Sequence, residues 1–382
     1  MNNPNSLLHT DAEKDQNFSL FSQIDSQHHE QIVICSELES GLRAIIAIHD
    51  TTLGPSLGGV RMWPYDNETD ALKDVLRLSR AMTYKAAISG LNLGGGKSVI
   101  IGDPNTDQSE AMFRALGRYI EGLGGRYIAT EDVGMSEQCM EWIYSETNYV
   151  TGIPEEIGGN GDPSPVTAYG VYMGMKACVK KTYGGDSLEG KRIAIQGAGN
   201  VASHLASLLQ EEGAILYVSD LYPEKAKTLA ERTGAETVKS EEIYELDADI
   251  FSPCALGGII NDRTIGQFKF DIIAGGANNV LLDEQRHGQS LSERGILYAP
   301  DYVINAGGLI HVAGEFAGYD STRSYKKAAA IYDTVLSVLN RAEEENVPPL
   351  IASNAMAEER IKAVGGTGSM YLPGEGELER GR

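Results

Sequence analysis

The stretch KRIAIQGAGNVASHLASLLQEEGAILYVSD, residues 191–220, constrains the fold of this chain more than any other. An apolar β-run (Arg192 to Gln196) leads into Gly197-Ala198-Gly199-Asn200-Val201-Ala202. An amphipathic helix and a second β-run ending at Asp220 follow. Each glycine has a physical reason: Gly197 for a tight turn, Gly199 so that a pyrophosphate can approach the backbone. Ala202 takes the small-residue position where the helix packs on the strand. Phosphates are favoured at the following helix N-terminus by free N–H groups and the helix dipole. An acid at the end of the second strand suits ribose hydroxyls, and so NAD over NADP. The unit reads as a dinucleotide-binding βαβ, the start of a doubly wound parallel sheet.

The rest of the chain supports that class. Further β-runs (Ile250 to Pro253, Ile272 to Ala274, Ile296 to Ala299) alternate with helical or loop segments. GGANN (Gly275 to Asn279) and NAGG (Asn305 to Gly308) follow two of them, where such sheets bind ligands. Long helices are predicted over Val166 to Tyr183 and Ser324 to Asn346, and a shorter one over Met356 to Ala363. A Gly/Pro-rich stretch, Gly152 to Pro165, marks a boundary. Before it lie β-runs at Ile32 to Ile34 and Ala44 to Ile48, and helices over Thr69 to Met82 and Ser109 to Leu123. The expected fold class is α/β with two domains. A mixed α/β substrate and oligomerisation domain comprises residues 1–150 plus 348–382, and a Rossmann-type domain spans 151–347. The active site is expected in the cleft between them.

Two lysines stand out in MTYKAAISGLNLGGGKSVIIGDP, residues 82–104. Gly94, Gly95 and Gly96 precede Lys97 and read as a loop in which backbone and ligand come close. Burial beside a second cation, Lys85, would depress the Lys97 pKa and make it a general base. GGGKS resembles the end of a Walker A loop. That motif needs a glycine where Leu91 stands and a helix where Val99-Ile100-Ile101 reads as a strand.

Composition excludes several classes. With 32 basic and 54 acidic residues the net charge is −22, unsuited to nucleic acid or an anionic membrane. No apolar run is long enough to span a membrane. The polar N-terminus lacks the pattern of a secretory signal. Cys35, Cys139, Cys178 and Cys254 are widely separated, without metal-ligand spacing, as expected of reduced core cysteines in a cytoplasmic protein. The seven histidines show no ligand spacing, so no metal is expected.

Taken in order, HDTTLGPSLGGVRMWPY, the lysine segment, EDVGM, SPVTAYGVYMGMKA, QGAGNVA, SPCALGG, GGANN and APDYVINAGG resemble the amino-acid dehydrogenases. Within that family they resemble most the leucine dehydrogenases, from about Phe21 to Tyr371. The resemblance implies NAD as cofactor, a branched-chain L-amino acid and its 2-oxo acid as small-molecule substrate and product, and a homo-oligomer, usually an octamer. It implies that Lys85 pairs with the substrate carboxylate, that Lys97 and Asp132 are catalytic, and that Asn279 lies near the carboxylate and cofactor. Thr167 matches a contact to the nicotinamide carboxamide. Gly197, Gly199, Asn200, Val201, Asp220, Ala255, Ala277, Asn278 and Asn305 complete the cofactor set. Leu57, Gly58, Met82, Thr130, Leu309 and Val312 would line the substrate pocket. A second carboxylate would be buried there unpaired, which disfavours glutamate. Thr130 and Leu309 stand where alanine and valine are usual, which narrows the pocket. His311 and GGANN replace the usual asparagine and GSANN. Asp132 also reads as a helix N-cap. A phenylalanine-type dehydrogenase and a non-catalytic NAD-binding amino-acid sensor remain the alternatives.

Overall fold

The computed structural model describes residues 19–317 and 321–365. The polar N-terminus, residues 1–18, and residues 366–382 lie outside the described residues. The first unit runs α1 (Leu20–Gln27), β1 (Gln31–Glu37), β2 (Leu42–Asp50), β3 (Ser56–Trp63), α2 (Glu68–Ile88), β4 (Gly94–Ile101), α3 (Glu110–Glu121), β5 (Tyr127–Glu131) and α4 (Glu137–Tyr144). Its strands form one mixed sheet in the order β1-β2-β4-β3-β5. The pairs β1/β2 and β2/β4 are antiparallel; β3/β4 and β3/β5 are parallel. The helices start where side chains cap them: the Asn67, Ser109 and Ser136 side chains accept from the backbone N–H three residues on.

The second unit opens with α5 (Ser164–Tyr183), β6 (Arg192–Gln196), α6 (Asn200–Glu211), β7 (Ile215–Ser219), α7 (Pro223–Thr233) and β8 (Glu236–Thr237). It continues with β9 (Ile250–Pro253), β10 (Ile272–Ile273), α8 (Glu284–Glu293), β11 (Leu297–Tyr298), α9 (Asp301–Ile304), α10 (Gly307–Ala313) and α11 (Ser321–Ala329). Two long helices, α12 (Ile331–Glu345) and α13 (Pro349–Val364), end the described chain. The sheet order β11-β10-β9-β6-β7-β8 is parallel throughout. Counted along the chain, these strands lie 3-2-1-4-5-6, the order of a doubly wound dinucleotide fold, with its switch point between β6 and β9.

Four expectations change. The glycines before Lys97 are not a loop: Gly94–Gly96 begin β4, and none has a positive φ. Their missing side chains serve close packing. A Cβ on Gly95 would overlap the Thr83 backbone of α2, and one on Gly94 the Asp50 carbonyl. The helix expected to end at Met82 continues to Ile88 and so carries Lys85. The single helix expected over 324–346 is two, broken at Ala330. Each half packs on different neighbours, α11 against α10 and α12 against α13, although both touch α5. The last helix starts earlier than expected, at Pro349, since proline suits the first helical turn.

Packing joins the units. Leu57, Leu91, Leu93 and Ile128 of the first share one buried apolar cluster with Val166, Ile304, Leu309 and Val312 of the second. Helix α13 returns to α2: Tyr84 Oη donates to Glu358 at 2.6 Å, and Arg360 donates to the Ala87 and Leu91 carbonyls.

Candidate active site

Lys97 lies on β4 and Asp132 just beyond the end of β5, with β3 between those strands. Their side chains meet across β3, Nζ to Oδ2 at 2.7 Å. Gly59 of β3 makes this possible. A Cβ there would stand 2.6 Å from the Asp132 Cβ and 2.8 Å from the Lys97 Nζ. Lys97 is only 5% exposed. Burial holds its pKa below the usual lysine range, Asp132 opposes that, and the Arg61 guanidinium adds to the lowering. Burial works to raise the Asp132 pKa, but Lys97 and Arg61 outweigh it and hold the carboxyl at about 2. Asp132 is therefore an ion-pair partner and caps no helix; the following helix, α4, is capped by Ser136. The second cation acting on Lys97 is chiefly Arg61, where Lys85 was expected.

Lys85, in the last turn of α2, reaches across to the second unit. Its Nζ donates to Asn305 Oδ1 at 2.6 Å. The Asn305 amide nitrogen in turn donates to Asn278 Oδ1 at 2.7 Å and lies 3.3 Å from the Ala277 carbonyl. NAGG, GGANN and the helix lysine thus converge. Burial lowers the Lys85 pKa to about 8, with Asp301 opposing and Lys97 reinforcing the shift. Asp301 accepts from the Val280 and Tyr302 amides, which fixes the turn beneath Lys85. Asn279 sits at the tip of the same turn with φ +52°, its carbonyl accepting from Gly258.

The apolar residues expected around a substrate side chain belong to the cluster that joins the two units. Leu57, Leu309 and Val312 are buried in the shared cluster, and Met82 packs against it. Gly58 is tightly enclosed; its carbonyl accepts from Tyr127 Oη at 2.8 Å. Thr130 pairs with Gly59, and its Oγ1 lies 3.0 Å from where a Cβ on Gly152 would stand.

The dinucleotide cradle fits its expected ligand. Gly197 has φ +104°, and a Cβ on it would crowd Ala255 at 2.9 Å. Gly199 caps α6 with no side-chain hydrogen bond, and no atom lies within 4 Å of where its Cβ would be. That leaves open space and free N–H groups at the helix N-terminus, where Asn200 and Val201 begin the helix. Asp220 follows β7 and accepts from the Ala198 amide at 2.8 Å, so its carboxylate borders the glycine turn. Thr167 lies in the first turn of α5, its Oγ1 2.7 Å from the Cβ position of Gly308.

Sequence reasoning missed Gly59, Arg61 and Asp301. The available signals were a glycine pair inside a β-run, an arginine in that run, and an aspartate in APDYVINAGG. Among the described residues no helix is long and apolar enough to cross a membrane.

Comparison with known proteins agrees with this arrangement. Residues 29–149 match the Glu/Leu/Phe/Val dehydrogenase dimerisation domain, and residues 158–223 and 217–364 the Glutamate/Leucine/Phenylalanine/Valine dehydrogenase family. Leucine dehydrogenase of Geobacillus stearothermophilus is 56% identical over 92% of this chain and 96% of its own length. Phenylalanine dehydrogenase of Bacillus thermotolerans is 48% identical over 93% and 94%. The crystal structure of L-tryptophan dehydrogenase from Nostoc punctiforme superposes with a TM-score of 0.80 at 45% identity, covering 91% of this chain and 99% of that one. A parallel sheet with a dinucleotide cradle, facing a unit that carries the buried lysine–aspartate pair, is thus an enzyme fold with close relatives, and the chain belongs to the glutamate/leucine/phenylalanine/valine dehydrogenases, a dinucleotide-binding family of oxidoreductases.

Proposed function

We propose that the protein catalyses the reversible, NAD-dependent oxidative deamination of branched-chain L-amino acids to 2-oxo acids and ammonia. The observation that carries this reading is the buried Lys97–Asp132 pair, placed on the same small unit as Lys85 and the apolar residue Leu57. Higher identity to a leucine than to a phenylalanine dehydrogenase supports the aliphatic substrate.

Bound on the glycine cradle, the dinucleotide supplies the acceptor for the hydride that leaves Cα. Lys85 holds the α-carboxylate, exchanging the Asn305 oxygen for a charged one. In its neutral form Lys97 takes a proton from water as the water oxygen bonds to the imino carbon. The same lysine returns that proton to the carbinolamine nitrogen and takes the hydroxyl proton as the C–N bond breaks, releasing ammonia and the 2-oxo acid. Asp132 keeps the Lys97 nitrogen in place through these transfers. Leu57, Met82, Thr130, Leu309 and Val312 surround the side chain and exclude water. Asn279 and Thr167 orient the substrate carboxylate and the nicotinamide carboxamide.

In this reading residues 1–150 and 348–382 form the substrate and oligomerisation domain, and 151–347 the NAD domain. The working form is a homo-oligomer, an octamer by family resemblance, acting in the cytoplasm.

Lys97→Ala tests the reading. NADH formation from L-leucine should fall about 10²- to 10⁴-fold while NADH binding persists. Unchanged turnover would contradict the assignment of Lys97 as the base, whereas a wild type that binds NADH but turns over no amino acid would favour the sensor.

A further inference from the structure

We propose that Arg61 is a positioning residue of this reaction: it orients Asp132 against Lys97, and its fixed charge favours the neutral form of that lysine. The inference rests on the assignment of Lys97 as the base.

Arg61 lies on β3, two residues beyond the Gly59 gap. Its Nε donates to Asp132 Oδ2 at 2.9 Å, the same oxygen that accepts from Lys97 at 2.7 Å. The far side of the guanidinium is held as firmly. One terminal nitrogen donates to Asp74 Oδ2 at 3.0 Å, and Tyr65 Oη donates to that oxygen at 2.7 Å. Arg77 holds the other Asp74 oxygen at 3.1 Å. A planar fork anchored at both ends leaves Asp132 little rotational freedom.

The electrostatic consequence follows from the shared oxygen. An isolated Lys97–Asp132 pair in a buried site would favour the ammonium, which cannot accept a proton. Arginine stays charged at any working pH and takes part of the same carboxylate's negative potential. The groups facing the pair come from every side: Arg61 from β3, Tyr127 and Glu131 from β5, Asp74 and Lys85 from α2, and Tyr65 from the turn after β3. Among these, Arg61 opposes the ammonium and Asp74 favours it.

The test is the pH dependence of kcat/KM for L-leucine oxidation in the wild type, Arg61→Met, Arg61→Lys and Asp74→Asn, with NADH binding measured in each. Arg61→Met should move the acid limb up by roughly one pH unit or more, with activity recovering toward alkaline pH. Arg61→Lys should keep the limb near its wild-type position while kcat falls, because charge survives and the fork does not. Asp74→Asn should move the limb in the opposite direction, which keeps the inference testable if Arg61→Met fails to fold. Rates scaled equally at all pH values, with the limb fixed in both Arg61→Met and Asp74→Asn, would overturn it. A wild type without amino-acid turnover would remove the parent reading and this inference together.

Discussion

Lys85 Nζ donates to the Asn305 carboxamide at 2.6 Å, tying the last turn of α2 to the NAGG turn of the opposite unit. The carboxamide oxygen occupies the lysine's hydrogen bond much as one oxygen of an α-carboxylate would. Substrate must therefore displace a neutral partner, which a carboxylate can do because charge-assisted bonds are roughly twice as strong. Asn305→Asp would place a permanent anion on Lys85. We predict that KM for L-leucine rises about tenfold or more in that variant, measured by steady-state NADH formation. An unchanged KM would mean that Lys85 does not hold the carboxylate.

Gly59 is the second test point. A methyl group there would stand 2.8 Å from the Lys97 Nζ and 2.6 Å from the Asp132 Cβ. Displacing a reacting group by about 1 Å can cost about 10²-fold in rate. Gly59→Ala should lower kcat by that order and lower the thermal midpoint as well, since the added atom meets the Asp132 Cβ, next to the backbone, in addition to the mobile Lys97 Nζ. Wild-type turnover in this variant would show that the pair tolerates rearrangement.

Two buried histidines give the fold an acid-sensitive point away from the chemistry. His49 Nε2 lies 2.9 Å from the Gln27 carbonyl and its Nδ1 2.8 Å from Thr83 Oγ1, while His29 Nε2 lies 2.8 Å from Ser79 Oγ. The rings meet edge to face at 4.8 Å. Burial lowers the His29 pKa to about 4 and the His49 pKa to about 3, from an ordinary 6.5, with the neighbouring His29 adding to the shift of His49. Both folded values are depressed, so the unfolded chain takes up protons first as pH falls. Their stabilising contribution is complete above pH 6.5 and is lost as pH falls toward 4 and then 3. Urea midpoints should fall less steeply over this window in His49→Gln than in the wild type. Parallel curves would exclude the pair as the sensitive point.

The parts legible in the sequence were those whose local pattern and tertiary role agree. The β6-α6-β7 unit reads nearly to the residue because its glycines, helix and terminal acid each serve one local purpose. β4 was misread because a glycine run ordinarily punctuates the chain, whereas here helix α2 lies so close to the strand that a side chain at Gly95 has no room. Lys85 and Lys97 were recognisable as candidates from the glycine run beside them. That Arg61, more than Lys85, acts on Lys97 depends on strands β3, β4 and β5 lying side by side, a nonlocal fact with no signature in a single segment. The break at Ala330 was equally hidden, since KKAAAI contains no residue that ends a helix.

Pocket volume gives a further handle. The Thr130 hydroxyl faces Gly152 at the end of β5. Thr130→Ala should shift selectivity toward L-leucine over L-valine by about tenfold, the scale on which apolar pockets discriminate one methylene. Equal kcat/KM ratios in variant and wild type would place Thr130 outside the pocket.

The most direct test of the central claim is NADH formation from NAD⁺ at alkaline pH with L-leucine, L-valine, L-isoleucine, L-phenylalanine and L-glutamate compared side by side. Fast turnover of the three branched-chain substrates, with glutamate excluded because its second carboxylate would be buried among Leu57, Leu309 and Val312, is the predicted result. Turnover of phenylalanine or glutamate alone would contradict it.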